Sequence, residues 1–191
     1  MPIITAQEII DLAIMILAVG FIFKDYVAPR VVSANYDPLA QFRQKAKFFD
    51  ENLKTSIMVT APAIALHELG HKIAAMSYGL DATFHAAYNW LAIGVVLKLL
   101  NFPFLFFVPG YVSYSGFVSH IGQALIAFAG PAVNLGLFLF AYYMLKNGRL
   151  KEYTPHLVLT KHINLFLFIF NMLPFGFFDG AQVFGSLIEL I

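Results

Sequence analysis

The 191-residue sequence contains no cysteine and has few charged residues. The absence of cysteine excludes disulfide scaffolds, thiolate zinc sites and cysteine nucleophiles, so a bound metal must use His, Asp or Glu. Charged residues make up 12% of the chain, with 12 basic and 11 acidic side chains. They form no basic stripe with interleaved aromatic residues, and we therefore expect no nucleic-acid partner.

Hydrophobic residues are abundant instead, at 60% of the sequence, which is well above the usual content of a soluble domain. Four apolar segments approach or exceed the roughly 20 residues that cross a bilayer; they are residues 9–23, 55–80, 121–145 and 157–178. The first has no basic leader and no small-residue cleavage site, which predicts a retained helix. The sequence therefore predicts an integral, multi-pass membrane protein, all-α and polytopic, with about four to six transmembrane helices.

The rest of the chain suggests a simple organisation without repeats. Residues 1–54 would hold the first transmembrane helix and a polar connecting loop, and residues 55–191 would form the core. Within the core, residues 90–108 contain Lys98, Asn101 and Pro103, which are costly in a lipid-facing helix. Residues 111–117 are aromatic and β-branched, as in strands. We expect a re-entrant or small β element here, with a full span through 90–108 as the alternative.

Residues 67–71 read His-Glu-Leu-Gly-His, an HExxH pattern inside the second apolar segment. Side chains four residues apart lie on one face of a helix, so His67 and His71 can ligate one ion. Glu68 lies about 100° around the helix from His67, where it can address a water without being a ligand. The pattern predicts zinc bound by His67 and His71, with Glu68 as the catalytic base. The alternative is a chance match whose histidines pair with other helices.

Catalytic zinc usually has three protein ligands, so a third residue is needed. Among the acids in apolar surroundings, Asp11 and Glu189 lie near the ends of the chain, whereas Asp179 follows a segment broken by Pro174 and Gly176. Such a break lets an anionic side chain turn inward. We expect Asp179 to be the third ligand; the alternative role is the N-cap of a last helix over residues 180–191, and one residue can fill both roles.

The four other histidines have weaker claims to the metal. They are His85, His120, His156 and His162. The first three lie near polar or turn-rich stretches, which favours loop or interface roles. His162 follows Lys161 at the start of a span and is expected to hydrogen-bond or to reach towards the membrane surface.

Three motifs in order resemble the site-2 protease family, intramembrane zinc metalloproteases that cut substrate helices within the bilayer. They are the HExxH pattern at His67 to His71, the Gly-Pro-Ala-Val-Asn segment at 130–134, and the Asn171, Pro174, Asp179 and Gly180 pattern near the end. The resemblance covers more than two-thirds of the chain. It implies that residues 55–191 are an intramembrane metalloprotease core in which His67, His71 and Asp179 bind zinc and Glu68 is the general base.

Asn134 and Asn171 are amides inside apolar spans. The resemblance implies that they help to hold the substrate or to stabilise the oxyanion, and the alternative is hydrogen bonding between helices. It also implies transmembrane protein substrates. The competing function is a metal-binding membrane protein without hydrolysis, such as a zinc transporter or an inactive relative.

Two signals predict opposite orientations in the membrane. Six of the twelve basic residues lie within 24–54, which favours a cytoplasmic loop there. The resemblance instead implies that the C-terminal end of the HExxH helix is cytoplasmic.

Overall fold

A computed structural model describes residues 4–27, 51–102 and 108–190. These residues are mainly helical, with one small antiparallel sheet. In chain order, the elements are α1 (Ala6–Val27), α2 (Glu51–Ser77), β1 (Asp81–Ala86), α3 (Tyr88–Leu99), β2 (Gly110–Ser115), α4 (His120–Lys146), a 3-10 turn (Lys151–Tyr153), α5 (Thr154–Asn171) and α6 (Asp179–Ile188). The polar connection predicted between the first and second helices lies largely outside the described residues.

Two of the described helices are long and apolar enough to cross a membrane, namely Ala6–Tyr26 within α1 and His120–Lys146, which is α4. This is fewer than the predicted four to six. Helix α2 is also long, with 27 residues, but Glu68 and Lys72 interrupt its apolar sequence. Helix α5 has only 18 residues and includes Lys161 and Asn164. In both helices these polar side chains lie within the apolar stretch and lower its mean hydropathy below that of the two candidate spans.

The apolar segment over residues 157–178 is broken near Pro174 and Gly176, as the sequence predicted. Helix α5 ends at Asn171, and α6 begins at Asp179. Between them lie Pro174, which cannot donate a helical hydrogen bond, and Gly176, whose φ is 69°. The break places the start of α6, and with it Asp179, back against the other helices.

The predicted small β element is present as the β1–β2 pair. Residues Asp81 to Ala86 pair in antiparallel register with Ser115 to Gly110. Helix α2 ends before β1 at a turn in which Gly79 has a φ of 75°, a conformation that glycine adopts without strain. Helix α3 stops at Leu99, so residues 90–108 do not form one long helix; residues 103–107 lie outside the described part.

Helix α2 occupies the centre of the molecule. It packs against α1 on one side and α4 on the other, and it also contacts α5 and both strands. Met15 and Val19 of α1, Ile64 of α2 and Phe84 of β1 share one buried apolar cluster. The consequence is that His67, Glu68 and His71, on α2, lie enclosed by the surrounding elements.

Candidate metal centre

Three side chains from two distant parts of the chain converge beside α2. The Nε2 atoms of His67 and His71 lie 3.1 Å apart. Oδ2 of Asp179 lies 3.1 Å from Nε2 of His67 and 3.4 Å from Nε2 of His71. All three predicted ligands therefore meet, and they form the candidate metal-binding group among the described residues.

Hydrogen bonds behind the imidazoles determine which ring nitrogens face Asp179. Nδ1 of His71 lies 2.8 Å from the carbonyl oxygen of Ile126, and a carbonyl can only accept. Nδ1 of His67 lies 2.6 Å from Oδ1 of Asn134. The Nδ2 group of Asn134 is already donating, at 2.9 Å, to the carbonyl of Ala63, so its Oδ1 accepts from His67. Both rings thus carry hydrogen on Nδ1 and direct Nε2, the atom available to a metal, to the centre.

The convergence fits a cation. With both Nε2 atoms unprotonated, two imidazole lone pairs and a carboxylate oxygen meet, an arrangement that a bound cation stabilises. Within the described part of the chain, Oδ2 of Asp179 is buried and accepts no hydrogen bond. Two histidines and one carboxylate form a donor set found in catalytic zinc sites, and the hydrogen bonds on Nδ1 are the usual support for metal-binding histidines.

Gly130 of α4 makes room for the two imidazoles. A Cβ atom at this position would lie 2.3 Å from Nε2 of His71 and 2.7 Å from Nε2 of His67. Both distances are far below contact distance. Any side chain at position 130 would therefore occupy the space in which the lone pairs converge.

Gly180 has a similar role for Asp179. A Cβ at position 180 would lie 2.4 Å from the carbonyl oxygen of Met172, so only glycine lets α6 begin so close to the end of α5. Phe178 is the N-cap of α6, and Asp179 is the first helical residue. The alternative N-cap role for Asp179 is therefore wrong, since its carboxylate is directed at His67 and His71.

Glu68 lies beside the three ligands without belonging to their group. It is buried and lines the same cavity as His67, His71 and Asp179, a space of about 320 Å³. The remaining walls are mainly apolar and aromatic, and they come from α1, α2, β2, α4, α5 and the start of α6 with the residues before it. The site therefore pairs a metal-binding group with one carboxylate that is free to act on a molecule in the cavity.

The two predicted asparagines occupy different places. Asn171 lines the cavity at the end of α5, where an amide can meet a bound molecule. Asn134 is fully buried behind His67 and does not line the cavity, so the direct substrate contact predicted for it has no geometric support. Its position is that of a residue that orients His67.

Asn164 of α5 was not singled out by the sequence. Its Oδ1 accepts from Nδ2 of Asn134 at 2.9 Å, and its own Nδ2 donates to the carbonyl of Thr160. Three helices are thereby joined behind the metal-binding group. The available signal was a lone amide in the apolar stretch after His162, of the same kind that drew attention to Asn134 and Asn171.

The other candidate ligands lie elsewhere. Asp11 accepts hydrogen bonds from the backbone of Ala86 and from the hydroxyl of Tyr88. Glu189 pairs with His120 at 2.7 Å. His162 bonds to the carbonyl of Val158 in its own helix, as expected.

Comparison with known proteins identifies a relative whose name includes zinc. No family profile matches the sequence, and no solved structure matches it significantly. The chain is 35% identical, over 181 residues, to a Methanocaldococcus jannaschii protein named "Putative zinc metalloprotease". The alignment covers 93% of this chain and 83% of that protein. The chain therefore belongs to the same zinc metalloprotease family as this Methanocaldococcus jannaschii protein.

Proposed function

We propose that this protein is a zinc-dependent intramembrane endopeptidase that cleaves peptide bonds within or near the transmembrane segments of other proteins. The observation that carries the proposal is the pairing of His67 with Asn134. Helix α4 has 27 residues and is about 40 Å long at 1.5 Å per residue, enough to cross a hydrocarbon core of about 30 Å. Asn134 lies near the middle of this helix, so the metal-binding group would lie at the depth of the bilayer.

The packing around α2 also supports a metal-binding group at the depth of the bilayer. Helix α2, which carries the HExxH pattern, is held between α1 and α4, the two helices with the length and apolarity of membrane spans. With α2 and α5 packed beside them, the chain would be a multi-pass membrane protein. The polar side chains of α2 would then face protein instead of lipid, as intramembrane ionisable groups must.

The proposed chemistry assigns one role to each residue of the site. His67, His71 and Asp179 would hold the ion, and Asn134 would orient His67. Bound zinc supplies Lewis acidity, which makes a water molecule more acidic and a peptide carbonyl more electrophilic. Glu68 takes a proton from the attacking water as the new C–O bond forms. It then donates that proton to the amine nitrogen as the C–N bond breaks.

The cavity fits a substrate segment that is apolar and locally extended. Its walls include Phe166, Phe170 and Phe177, which suit the side chains of a transmembrane helix. A helical peptide bond has its carbonyl already hydrogen-bonded, so the substrate must unwind before attack. Substrates with weak helix formers near the cleavage site are therefore preferred. Asn171, on the cavity wall, is the side chain that we assign to the substrate or oxyanion.

The alternative function is metal binding without hydrolysis, as in a zinc transporter or an inactive relative. A transporter needs ligands along a path across the membrane. The residues that the structure describes bring together one group of possible ligands, at a single depth. Glu68, on the wall of the same cavity, has a direct use in hydrolysis and none in passive metal binding.

The experiment that tests the proposal compares wild type with Glu68→Gln in detergent or liposomes, using a panel of membrane-spanning substrates. We expect both proteins to bind zinc, and Glu68→Gln to cleave at least a hundredfold more slowly, as expected for loss of a general base. Equal cleavage by the two zinc-loaded proteins would exclude the assigned mechanism. Zinc binding by wild type without cleavage of any substrate would favour the alternative function.

A further inference from the structure

We propose that Glu8 and Asp11 of α1 are positioning residues that hold the β1–β2 pair beside the metal centre, and that substrate cleavage depends on this anchoring. The inference rests on the proposed function, because it assigns the β1–β2 pair a part in presenting the substrate. Glu8 and Asp11 are each only 2% exposed, which is unusual for carboxylates near the start of a helix.

Both carboxylates bind the backbone of β1. Glu8 accepts a hydrogen bond from the backbone N–H of Phe84 at 2.8 Å, and Asp11 accepts one from the N–H of Ala86 at 3.0 Å. Alternate residues of a strand direct their N–H groups to the same edge. These two N–H groups therefore lie on the edge of β1 that β2 does not cover, since the strand pairs with β2 along its other edge.

The spacing of the two acids matches the spacing of the two amides. Residues three apart lie on one face of a helix, about 4.5 Å apart along its axis. Two alternate residues of a strand are about 6.7 Å apart. The amides are therefore farther apart than the two acids. The longer side chain of Glu8 makes up this difference, while the shorter side chain of Asp11 reaches its partner directly. Along α1, the acceptor that comes first (Glu8) meets the donor that comes first in β1, and the second acceptor (Asp11) meets the second donor.

Each carboxylate also has a second attachment. Glu8 pairs with Lys72 of α2, which directly follows the predicted ligand His71, and Lys72 is itself buried. Asp11 accepts from the hydroxyl of Tyr88, at the start of α3, at 2.6 Å. Glu8 therefore connects β1 to the helix that carries the metal-binding histidines, and Asp11 holds the far end of β1 together with the start of α3.

Anchoring β1 also fixes β2, which forms one wall of the cavity. The register places Phe84 opposite Val112 and Ala86 opposite Gly110. Gly110 and Val112 line the cavity together with His67 and Asp179. A Cβ at Gly110 would lie 2.6 Å from the ring of Phe84, so the two strands fit closely and move together. Movement of β1 away from α1 would displace this cavity wall.

The test begins with Asp11→Asn, because this substitution removes an acceptor without leaving a buried cation unpaired. The control is Asp81→Asn, the same substitution at the exposed first residue of β1. We expect Asp11→Asn to accelerate hydrogen exchange in the β1 and β2 backbone by about tenfold, as expected for a lost charged hydrogen bond. We expect kcat/KM for a membrane-spanning substrate to fall by a similar factor, mainly through KM.

Zinc affinity and hydrogen exchange in α2 and α4 should stay at wild-type values. A general loss of stability would change both, so this result would show that the substitution affects only the position of β1 and β2. A second variant, Glu8→Gln with Lys72→Met, removes the other anchor without leaving Lys72 unpaired in a buried position. It is expected to give the same pattern. Unchanged exchange in β1 for both variants would overturn the inference, as would accelerated exchange with unchanged cleavage.

The proposed function fails in a different way. If wild type and Glu68→Gln cleave equally, the assigned mechanism is wrong whatever the α1 variants do. The α1 variants then still show whether the remaining cleavage depends on β1, and the exchange measurements still decide whether α1 anchors β1.

Discussion

Oδ2 of Asp179 lies 3.1 Å from Nε2 of His67, although the two residues are far apart in the sequence. The contact exists because α5 ends before Pro174 and α6 begins again at Asp179 against α2. It converts a two-histidine motif into a three-ligand group.

Replacing Asp179 by Asn keeps the size of the side chain but removes its negative charge. The site would then lose one anionic ligand, and we expect zinc affinity to fall by at least tenfold. The measurement is competition with a chromogenic chelator. Glu189→Gln, which changes an exposed acid paired with His120 near the end of the chain, is the control and should bind zinc like wild type. Unchanged affinity in Asp179→Asn would mean that another residue completes the site.

Asn134 should control zinc affinity through His67. Asn134→Leu removes the acceptor for Nδ1 of His67, and losses of such supporting contacts reduce metal affinity by about 10- to 100-fold. Asn134→Asp keeps an acceptor and should retain more affinity than Asn134→Leu. Asn147→Ala, at the exposed end of the same helix, should have no effect. Equal affinities for Asn134→Leu and wild type would contradict the orienting role.

Gly130→Ala should abolish zinc binding, because the added methyl group would lie among the Nε2 atoms of His67 and His71. Gly136→Ala is the matched control on the same helix, since a Cβ there meets nothing within 4 Å. Alanine is favoured over glycine in a helix by up to about 1 kcal/mol, so Gly136→Ala should be as stable as wild type or more stable. Zinc binding by Gly130→Ala at wild-type affinity would contradict the placement of the ion beside α4.

Zinc should stabilise the folded protein in proportion to its occupancy. At free zinc about 100 times the dissociation constant, one bound ion adds about 2.7 kcal/mol to the free energy of unfolding. The expected result is a rise in the thermal midpoint of wild type and a much smaller rise for His67→Ala. An equal rise in both proteins would indicate that zinc binds elsewhere.

The residues of the candidate site could be selected from the sequence because the pattern that marks them is local. HExxH fixes two histidines and a glutamate on one helix, and the break at Pro174 and Gly176 marks Asp179 as able to turn inward. The aromatic, β-branched stretch after Gly110 likewise identified β2. These features depend on residues close together in the chain, so the pattern alone carries them.

Contacts between distant segments could not be predicted in the same way. Asn164 meets Asn134, and Asp11 meets the backbone of Ala86, only because of how the helices pack. Asp11 was considered as a metal ligand, since a buried carboxylate needs a partner, but its partners are backbone and hydroxyl donors in β1 and α3. Four to six spans are not supported, because polar residues such as Glu68 and Lys72 in α2 and Lys161 and Asn164 in α5 reduce the mean hydropathy of those helices.

The central claim is cleavage inside the membrane by this metal centre. The most direct measurement reconstitutes the zinc-loaded protein in liposomes with a single-span substrate and maps the new termini by mass spectrometry, with Glu68→Gln in parallel. The account predicts termini within the apolar span of the substrate for wild type and none for Glu68→Gln. Termini only in the water-exposed segments, or identical products from both proteins, would contradict it.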